Sequence, residues 1–159
     1  MSGTPARDTL GGWLLKANPA VWDLPGFLAS PDPCIRSWAV RPGSRAALMR
    51  PDDVALLWLS GDGRSGFARG VWGVGRVTHP AEPWHDDRPG FWVDHQARAA
   101  VRARVRVEIP LLTDPVTASE VRSHGLDLEV LRMPAGPNPS WVSRDELERL
   151  RDLLPPLAP

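Results

Sequence analysis

Hydrophobic and polar positions alternate most regularly over residues 101–109, where apolar side chains are interleaved with arginine and glutamate. This period of two predicts a strand with one face in the core and one charged face. The segment 54–59 is apolar throughout, which predicts a strand buried on both faces. Gly73 and Gly75, inside another apolar run, indicate a bend or a close backbone approach. Shorter runs predict further strands at 12–17, 34–40 and 70–78.

Residues that cap helices mark where the predicted helices begin. Thr117 with Glu120, and Ser143 with Glu146, have the spacing of a capping box, in which two side chains satisfy free N–H groups at a helix start. Gly125 is placed to end the first of these helices, because glycine adopts the left-handed conformation without steric cost. Short helices are also predicted at 24–28, where Asp23 is the cap, and at 44–49.

These elements amount to strands interleaved with short helices, without the spacing of βαβ units. The sequence therefore predicts an α+β fold, a small open β-barrel made of a strongly curved mixed sheet and flanked by short helices. We expect a flexible segment over residues 1–11, a single domain over 12–155 and a C-terminal tail over 156–159. The proline-rich segment 131–139 is expected to lack regular structure.

The composition limits the classes of partner. The 159 residues carry 19 basic and 19 acidic side chains, so no overall basic field attracts nucleic acid. Lys16 is the only lysine, and this arginine-rich pattern indicates a GC-rich, bacterial genome. A single cysteine is typical of a reducing compartment, and no apolar run is long enough to span a membrane. We therefore expect a soluble, cytoplasmic protein with no membrane partner.

The stretch 12–23 joins a strand to a turn that carries a tryptophan. Asn18 is suited to cap a helix whose first residue is Pro19, and such a junction leaves backbone N–H groups free. Together with the indole of Trp22, these groups predict a binding pocket at the end of the strand. The eight tryptophans of the chain favour this interpretation, because an indole N–H is costly to bury without a partner. The alternative is an ordinary corner with Trp13 and Trp22 in the core.

Several short motifs occur together in the order and spacing of one family. They are the stretch 13–19 followed by Trp22 and Asp23, Ser37 with Trp38, the strand end 59–61, the glycine-rich strand 70–75 and the residues 115–117. On these motifs the chain resembles an EVE domain, a member of the PUA-like superfamily that also includes the YTH and ASCH domains. The resemblance spans residues 12–154.

The resemblance implies a nucleic-acid-binding module, not an enzyme, and no cofactor. Domains of this superfamily hold a flipped, modified base in an aromatic pocket. EVE domains are associated with modified cytosines in DNA, and YTH domains with N6-methyladenosine in RNA. We therefore expect a nucleic acid with a modified base of the 5-methylcytosine or 5-hydroxymethylcytosine type as the partner, DNA rather than RNA.

The residues of this pocket follow from the matched motifs and from the chemistry of an extruded base, which offers two flat faces and one polar edge. The resemblance places the end of the first strand at the base edge and Trp38 in the pocket wall. The predicted base-binding residues are Lys16, Ala17, Asn18, Trp22, Trp38, Ser60, Trp84 and Asn138. The predicted contacts with the nucleic-acid backbone are Arg64, Arg69 and Arg132, in addition to Lys16.

Two other classes of function stay open on the sequence. A metal-dependent or hydrolytic enzyme would use the polar residues His79, Glu82, His85, Asp86, Asp87, Asp94 and His95, although their spacing matches no metal motif. A protein-interaction module would bind a partner chain through exposed tryptophans. Cys34 is expected to be buried rather than nucleophilic. The arginines at 102, 104 and 106 are interpreted as the solvated face of their strand.

Overall fold

The computed structural model describes residues 3–61 and 66–156. The strands within these residues are β1 (Leu10–Ala17), β2 (Cys34–Val40), β3 (Val54–Leu59), β4 (Gly70–Val77), β5 (Glu82–Pro83), β6 (Ala103–Thr117) and β7 (Ser140–Ser143). The helices are all short: α1 (Leu24–Leu28), α2 (Ser44–Leu48), α3 (His95–Ala99), α4 (Ala118–Ser123), α5 (Glu129–Arg132) and α6 (Arg144–Arg151). No helix in this part of the chain has the length and apolar character needed to cross a lipid bilayer.

The seven strands form one mixed sheet in the order β2-β6-β4-β3-β1-β7, and β5 pairs with β6 off this path. Only β1 and β3 run parallel, and every other pair that the structure describes is antiparallel. The mixed sheet and the short helices confirm the α+β class. The predicted barrel is not closed, because no ladder joins β2 to β7, the two ends of the order, within the described residues.

Strands β1 and β3 are neighbours in the interior of the sheet and are buried on both faces. Leu57 of β3 belongs to one hydrophobic cluster, which also contains Trp13. Its neighbours Leu56 and Trp58 belong to a second cluster, which contains α6 residues such as Leu147. Because successive side chains of a strand point to opposite faces, the two clusters cover the two sides of the sheet. The prediction that 54–59 is buried on both faces is confirmed.

Strand β6 is much longer than the alternation predicted, because it continues past Ile109 to Thr117. Two prolines lie in this continuation, and neither can donate to a ladder. The pairing with β4 shifts sharply here, from Gly73 opposite Leu111 to Val71 opposite Val116, so the residues between are bulged out of the sheet. The bulge accommodates the second proline, Pro115, and explains why the pattern did not reveal the strand.

Gly75 of β4 confirms the predicted close approach of two backbones. A Cβ atom added at Gly75 would lie 1.8 Å from the carbonyl oxygen of Glu108 on β6. At Gly73 the nearest atom would be a side-chain methyl of Ile109 at 2.7 Å. Glycine is therefore required where β4 crosses β6, since any side chain at Gly75 would push the two strands apart.

The first strand begins earlier than predicted. β1 begins at Leu10, not at residue 12. Arg7, within the segment expected to be flexible, forms a bidentate ion pair with Asp53 and donates to the carbonyl of Leu48 at 3.1 Å. Asp53 also accepts the indole N–H of Trp13 at 2.9 Å. The segment from Arg7 onward is therefore packed onto the sheet.

The turn after β1 differs from the predicted helix start. Pro19 opens no helix. The side chain of Asn18 accepts from the N–H of Ala20 at 3.0 Å, and its carbonyl accepts from Val21 and Trp22, which closes a single turn. The helix begins one turn later, where Asp23 accepts from the N–H of Gly26 at 3.0 Å, as predicted for its cap. The turn does not continue as a helix, and Trp22 at its end forms an antiparallel β-bridge with Trp92.

The other helix starts are close to prediction. Ser143 and Glu146 form a complete capping box at α6, with distances of 3.1 and 2.9 Å. At α4 only one half of the box forms, because Thr117 accepts from the N–H of Glu120 without a return bond. Gly125 has a φ of +81° after α4, as predicted. The segment 131–139 lacks regular structure only after Arg132, where α5 ends. The prolines that follow α5 had led us to expect no helix at its start.

A buried ion pair joins α2, α5 and β7. Arg45 donates to both carboxylate oxygens of Glu129 at 2.8 Å and to the carbonyls of Pro139 and Gly3 at 2.9 and 3.0 Å. Ser140 donates to the same carboxylate at 2.6 Å. Burial favours a raised pKa for Glu129, but the bonds from Arg45 and Ser140 outweigh it and hold the pKa below its ordinary value.

Candidate functional site

One cavity, of about 420 Å³, collects most of the predicted base-binding residues. It lies where the C-terminal end of β1, the edge strand β2 and the segment 84–92 meet. Six of the eight predicted residues line it, namely Lys16, Asn18, Trp22, Trp38, Trp84 and Asn138. Four tryptophans line it, because Trp92, which the sequence analysis did not single out, joins the three predicted ones.

The cavity occupies a gap between β1 and β2 that side chains bridge. β7 covers β1 only as far as Leu14, so the backbone of Lys16 has no strand beside it on that side. The indole N–H of Trp38 donates to the Lys16 carbonyl at 3.1 Å. The Asn138 amide accepts from the Lys16 N–H at 3.2 Å and donates to the Ala39 carbonyl at 3.4 Å. Asn138 and Trp38 therefore hold the two strand ends at a fixed separation.

The aromatic walls of the cavity are packed edge to face. Trp22 and Trp38 have ring centroids 5.0 Å apart at an angle of 80°. Trp22 is only 8% exposed, so it forms the floor rather than a free wall. The indole N–H of Trp92 donates to Asp86 at 2.8 Å, which fixes the segment 84–92 over the opening. Edge-to-face contact is the arrangement that the ring quadrupoles favour, so the walls are set before any ligand arrives.

Arg104 projects from β6 into the cavity wall, although its strand face was predicted to be solvated. Its guanidinium carbon lies 3.4 Å from the ring centroid of Trp84, and its Nε donates to Glu82 at 2.9 Å. The Arg104 side chain is 19% exposed, against 47% for Arg106 on the same face. Hydrogen bonding from Arg104 lowers the pKa of Glu82, and both arginine charges contribute to the shift. The prediction is therefore wrong for Arg104, because β5 and Trp84 cover this part of the strand.

Lys16 lines the cavity but directs its ammonium group elsewhere. The Nζ atom donates to the carbonyls of Pro134, at 3.3 Å, and of Gly136. Burial lowers the pKa of Lys16, and the charge of Glu129 opposes this effect. The donors of Asn18, in contrast, are unused, because its backbone N–H and its side-chain NH₂ make no hydrogen bond to the described residues. The polar donors at the end of β1 are thus those of Asn18.

The remaining predicted residues that the structure describes lie outside this cavity. Ala17 is 1% exposed, and its carbonyl accepts from both the N–H and the hydroxyl of Ser60, at 2.7 and 3.1 Å. Ser60 and Arg69 line a second depression of about 360 Å³, which Asn18 also borders. Arg132 pairs with Asp127 at 3.7 Å. Arg64 lies outside the described residues.

The alternative metal site is not formed. No group of three or more His, Cys, Asp or Glu side chains in residues 3–61 and 66–156 is arranged to hold a metal ion. Two of the acidic residues have local structural partners: Asp86 accepts from Trp92, and Asp94 caps α3. Burial raises the pKa of the Cys34 thiol, which is the opposite of what a nucleophilic cysteine needs.

The segment 84–92 contributes residues that sequence reasoning missed, among them Phe91 and Trp92. Phe91 contacts Phe27 with ring centroids 5.3 Å apart. The backbone N–H of Asp23 donates to the Phe91 carbonyl at 2.6 Å. The available signal was the pair of aromatic residues in an otherwise polar, proline-broken connection, because exposed loops seldom carry such pairs without a packing role.

The comparisons with known proteins concern the fold. No protein-family model matches the chain, and neither does any curated protein. The DUF55 domain of human thymocyte nuclear protein 1 superposes with a TM-score of 0.61 at 15% identity, over 89% of this chain and 97% of that one. This chain has the fold of that domain. The human THYN1 protein in complex with 5-methylcytosine-containing DNA gives 0.61 at 15% identity, over 91% and 99% of the two chains. Rpa0253 from Rhodopseudomonas palustris gives 0.55 at 20% identity, over 92% and 97%.

Proposed function

We propose that this protein is an EVE-type, PUA-like module that binds nucleic acid and holds an extruded, modified base in the cavity between β1 and β2. The partner is DNA, and the base is a cytosine modified at C5. The observation that carries the proposal is the convergence of six predicted residues and four tryptophans on one cavity. The shared fold with THYN1, which is known in complex with 5-methylcytosine-containing DNA, supports the same conclusion.

The size and walls of the cavity suit a single base. Small-molecule sites measure about 300–1,000 Å³, and this cavity has a volume of about 420 Å³. Stacking on an aromatic side chain is worth about 1–3 kcal/mol per base. Two rings line the cavity from different parts of the chain, because Trp38 lies on β2 and Trp84 follows β5. Extrusion costs a few kcal/mol, least for a base that is already unpaired. Stacking on the cavity walls therefore offsets the cost of extrusion.

Hydrogen-bonding groups are available at the base edge. Asn18 contributes two donors, its backbone N–H and its side-chain NH₂. β2 is the edge strand of the sheet, and Ser37 and Ala39 line the cavity from it. An edge strand presents unpaired backbone groups, which suit the alternating donors and acceptors of a base. An unpaired buried edge costs about 1–3 kcal/mol, so these groups discriminate between bases.

Discrimination of the modification itself is expected to be smaller. A methyl group buried against the indole walls contributes about 0.8 kcal/mol. This corresponds to roughly a fourfold preference for the methylated base over the unmodified one. The hydrogen-bonded edge thus separates cytosine from adenine more sharply than the cavity wall separates 5-methylcytosine from cytosine.

The test is a competition titration with single-stranded oligonucleotides that differ only in the central base. The central base is cytosine, 5-methylcytosine, 5-hydroxymethylcytosine, adenine or N6-methyladenine. We expect 5-methylcytosine and 5-hydroxymethylcytosine to bind best and both adenines to bind least. Equal affinity for all five contradicts the proposal and favours the protein-interaction module. A preference for N6-methyladenine retains the cavity but moves its specificity toward that of YTH domains.

A matched pair of variants assigns the binding to this cavity. Trp84→Ala removes a wall that belongs to neither hydrophobic cluster, so we expect at least a fivefold loss of affinity with little change in melting temperature. Trp141→Ala is the control, because this half-buried tryptophan on β7 does not line the cavity. If Trp84→Ala binds like the native chain, or if both variants lose affinity equally, the base is not held here.

A further inference from the structure

Arg104 is held in the cavity wall by two contacts that use only part of its guanidinium group. One flat face lies on the Trp84 ring, with the central carbon 3.4 Å from the ring centroid. The Nε edge donates to Glu82 at 2.9 Å, and Glu82 lies directly opposite Arg104 in the ladder between β5 and β6. A stacked and hydrogen-bonded guanidinium has little freedom to rotate, so the direction of its remaining donors is fixed.

The two terminal nitrogens of Arg104 have no hydrogen-bond partner among the described residues. They form a planar fork of parallel N–H donors, which matches two acceptors that lie side by side. Other polar groups of the lining are already engaged: Asn138 binds the backbones of β1 and β2, Trp92 binds Asp86, and Lys16 binds two carbonyls. Arg104 is therefore a fixed donor pair that is open to a ligand.

We propose that Arg104 is the specificity-determining residue of this cavity and selects cytosine by donating to its adjacent N3 and O2 acceptors. The inference rests on the proposed function, since it assumes that a base occupies the cavity. Thymine is the informative competitor, because thymine and 5-methylcytosine carry the same methyl group at C5. They differ at the polar edge, where thymine has an N–H donor at position 3. With thymine in the cavity, one N–H of the Arg104 fork would face the N3–H of the base. Both of these donors would stay unpaired.

The experiment measures the affinity of the full chain for two single-stranded oligonucleotides with 5-methylcytosine or thymine at the centre. Fluorescence anisotropy gives the ratio of the two dissociation constants. A good bidentate contact discriminates by at least about fivefold, which is the ratio expected for the native chain. Arg104→Lys keeps the positive charge and removes the fork. Arg106→Lys is the matched control, because Arg106 also binds Glu82, at 3.3 Å, but does not line the cavity.

We expect Arg104→Lys to reduce the ratio to below about twofold, chiefly through weaker binding of 5-methylcytosine, while Arg106→Lys leaves it unchanged. An unchanged ratio in Arg104→Lys overturns the inference. An equal loss for both oligonucleotides also overturns it, because a guanidinium that only stacks on the base would act without selectivity. If the native chain binds neither oligonucleotide, the proposed function itself fails, which is a different result from binding with an unaltered ratio.

A second variant keeps the test informative if Arg104→Lys melts well below the native chain. Glu82→Gln leaves the fork in place and removes the charge that anchors it. Glu82 is 39% exposed at its side chain, so this change does not disturb the core. We expect an intermediate ratio for Glu82→Gln, and a native ratio would show that the anchored fork does not read the base.

Discussion

Replacing Glu129 by Gln should test whether the buried ion pair stabilises the junction of α2, α5 and β7. Glu129 is 5% exposed and Arg45 is 7% exposed, so neither charge is well hydrated. Glu129→Gln keeps the shape of the side chain and one acceptor oxygen, but it removes the carboxylate charge that faces the buried guanidinium of Arg45. Ser140 keeps its position beside the substituted residue, so the change is confined to charge.

The expected loss follows from the burial of both partners. Removing one member of a buried pair costs about 3–5 kcal/mol, because the remaining charge has lost its partner and has not regained water. Domains of this size are stable by about 5–15 kcal/mol, so the variant should lose a large fraction of its free energy of unfolding. At about 2–4 °C per kcal/mol, the melting temperature should fall by roughly 6–20 °C.

Urea unfolding followed by tryptophan fluorescence measures this loss, with Glu148→Gln as the matched control. Glu148 pairs with Arg151 at 3.7 Å, and its side chain is 72% exposed. The same substitution there should cost less than about 1 kcal/mol, since exposed pairs contribute little. If Glu129→Gln unfolds within 1 kcal/mol of Glu148→Gln, the buried pair is not the source of stability that its geometry indicates.

Three further predictions concern pH, packing and salt. Burial favours raised pKa values for Glu129 and Asp53, but bonds from Arg45 and Arg7 hold both below their ordinary values. The free energy of unfolding should therefore fall as the pH drops through these depressed pKa values, and less steeply in Glu129→Gln than in the native chain. An equal pH slope in the two proteins would contradict this. Gly75→Ala should cost about 1–3 kcal/mol or more in urea unfolding, whereas Gly3→Ala, with nothing within 4 Å, should cost almost none. Affinity for DNA should fall with salt on a log–log slope shallower than about −5, because a chain of zero net charge contacts few phosphates.

The sequence predicted the elements that depend on residues close together in the chain. The strand limits of β2 and β3 agree with the prediction to the residue, because turn residues bound each segment in the sequence. The caps at Asp23 and Ser143 agree because a cap depends on neighbours within one turn. The position of Asn138 in the cavity could be predicted from the need for an amide at the base edge, but its role in bridging β1 and β2 could not. That role depends on strands far away in the chain.

The elements that the sequence did not predict depend on tertiary contacts. β6 continues past Pro115 because a bulge takes up the misfit, and β7 is a strand only because β1 lies beside it. The arginine face of β6 was predicted to be solvated along its whole length. A period of two shows which residues share a face of the sheet, but it does not show which other segments cover that face. The covering is supplied by Glu82 and Trp84, and their distance in sequence from Arg104 hid the contact.

One part of the cavity wall, the segment 84–92, lies outside the hydrophobic core, although Trp22 and Trp38 of the same wall pack in that core. No described residue of the segment 84–92 belongs to either hydrophobic cluster, yet this segment supplies Trp84, Phe91 and Trp92 to the cavity. Substitutions in that segment can therefore alter what the cavity accepts at little cost to folding. A library restricted to these nine positions is the direct route to redesigning the specificity of the protein.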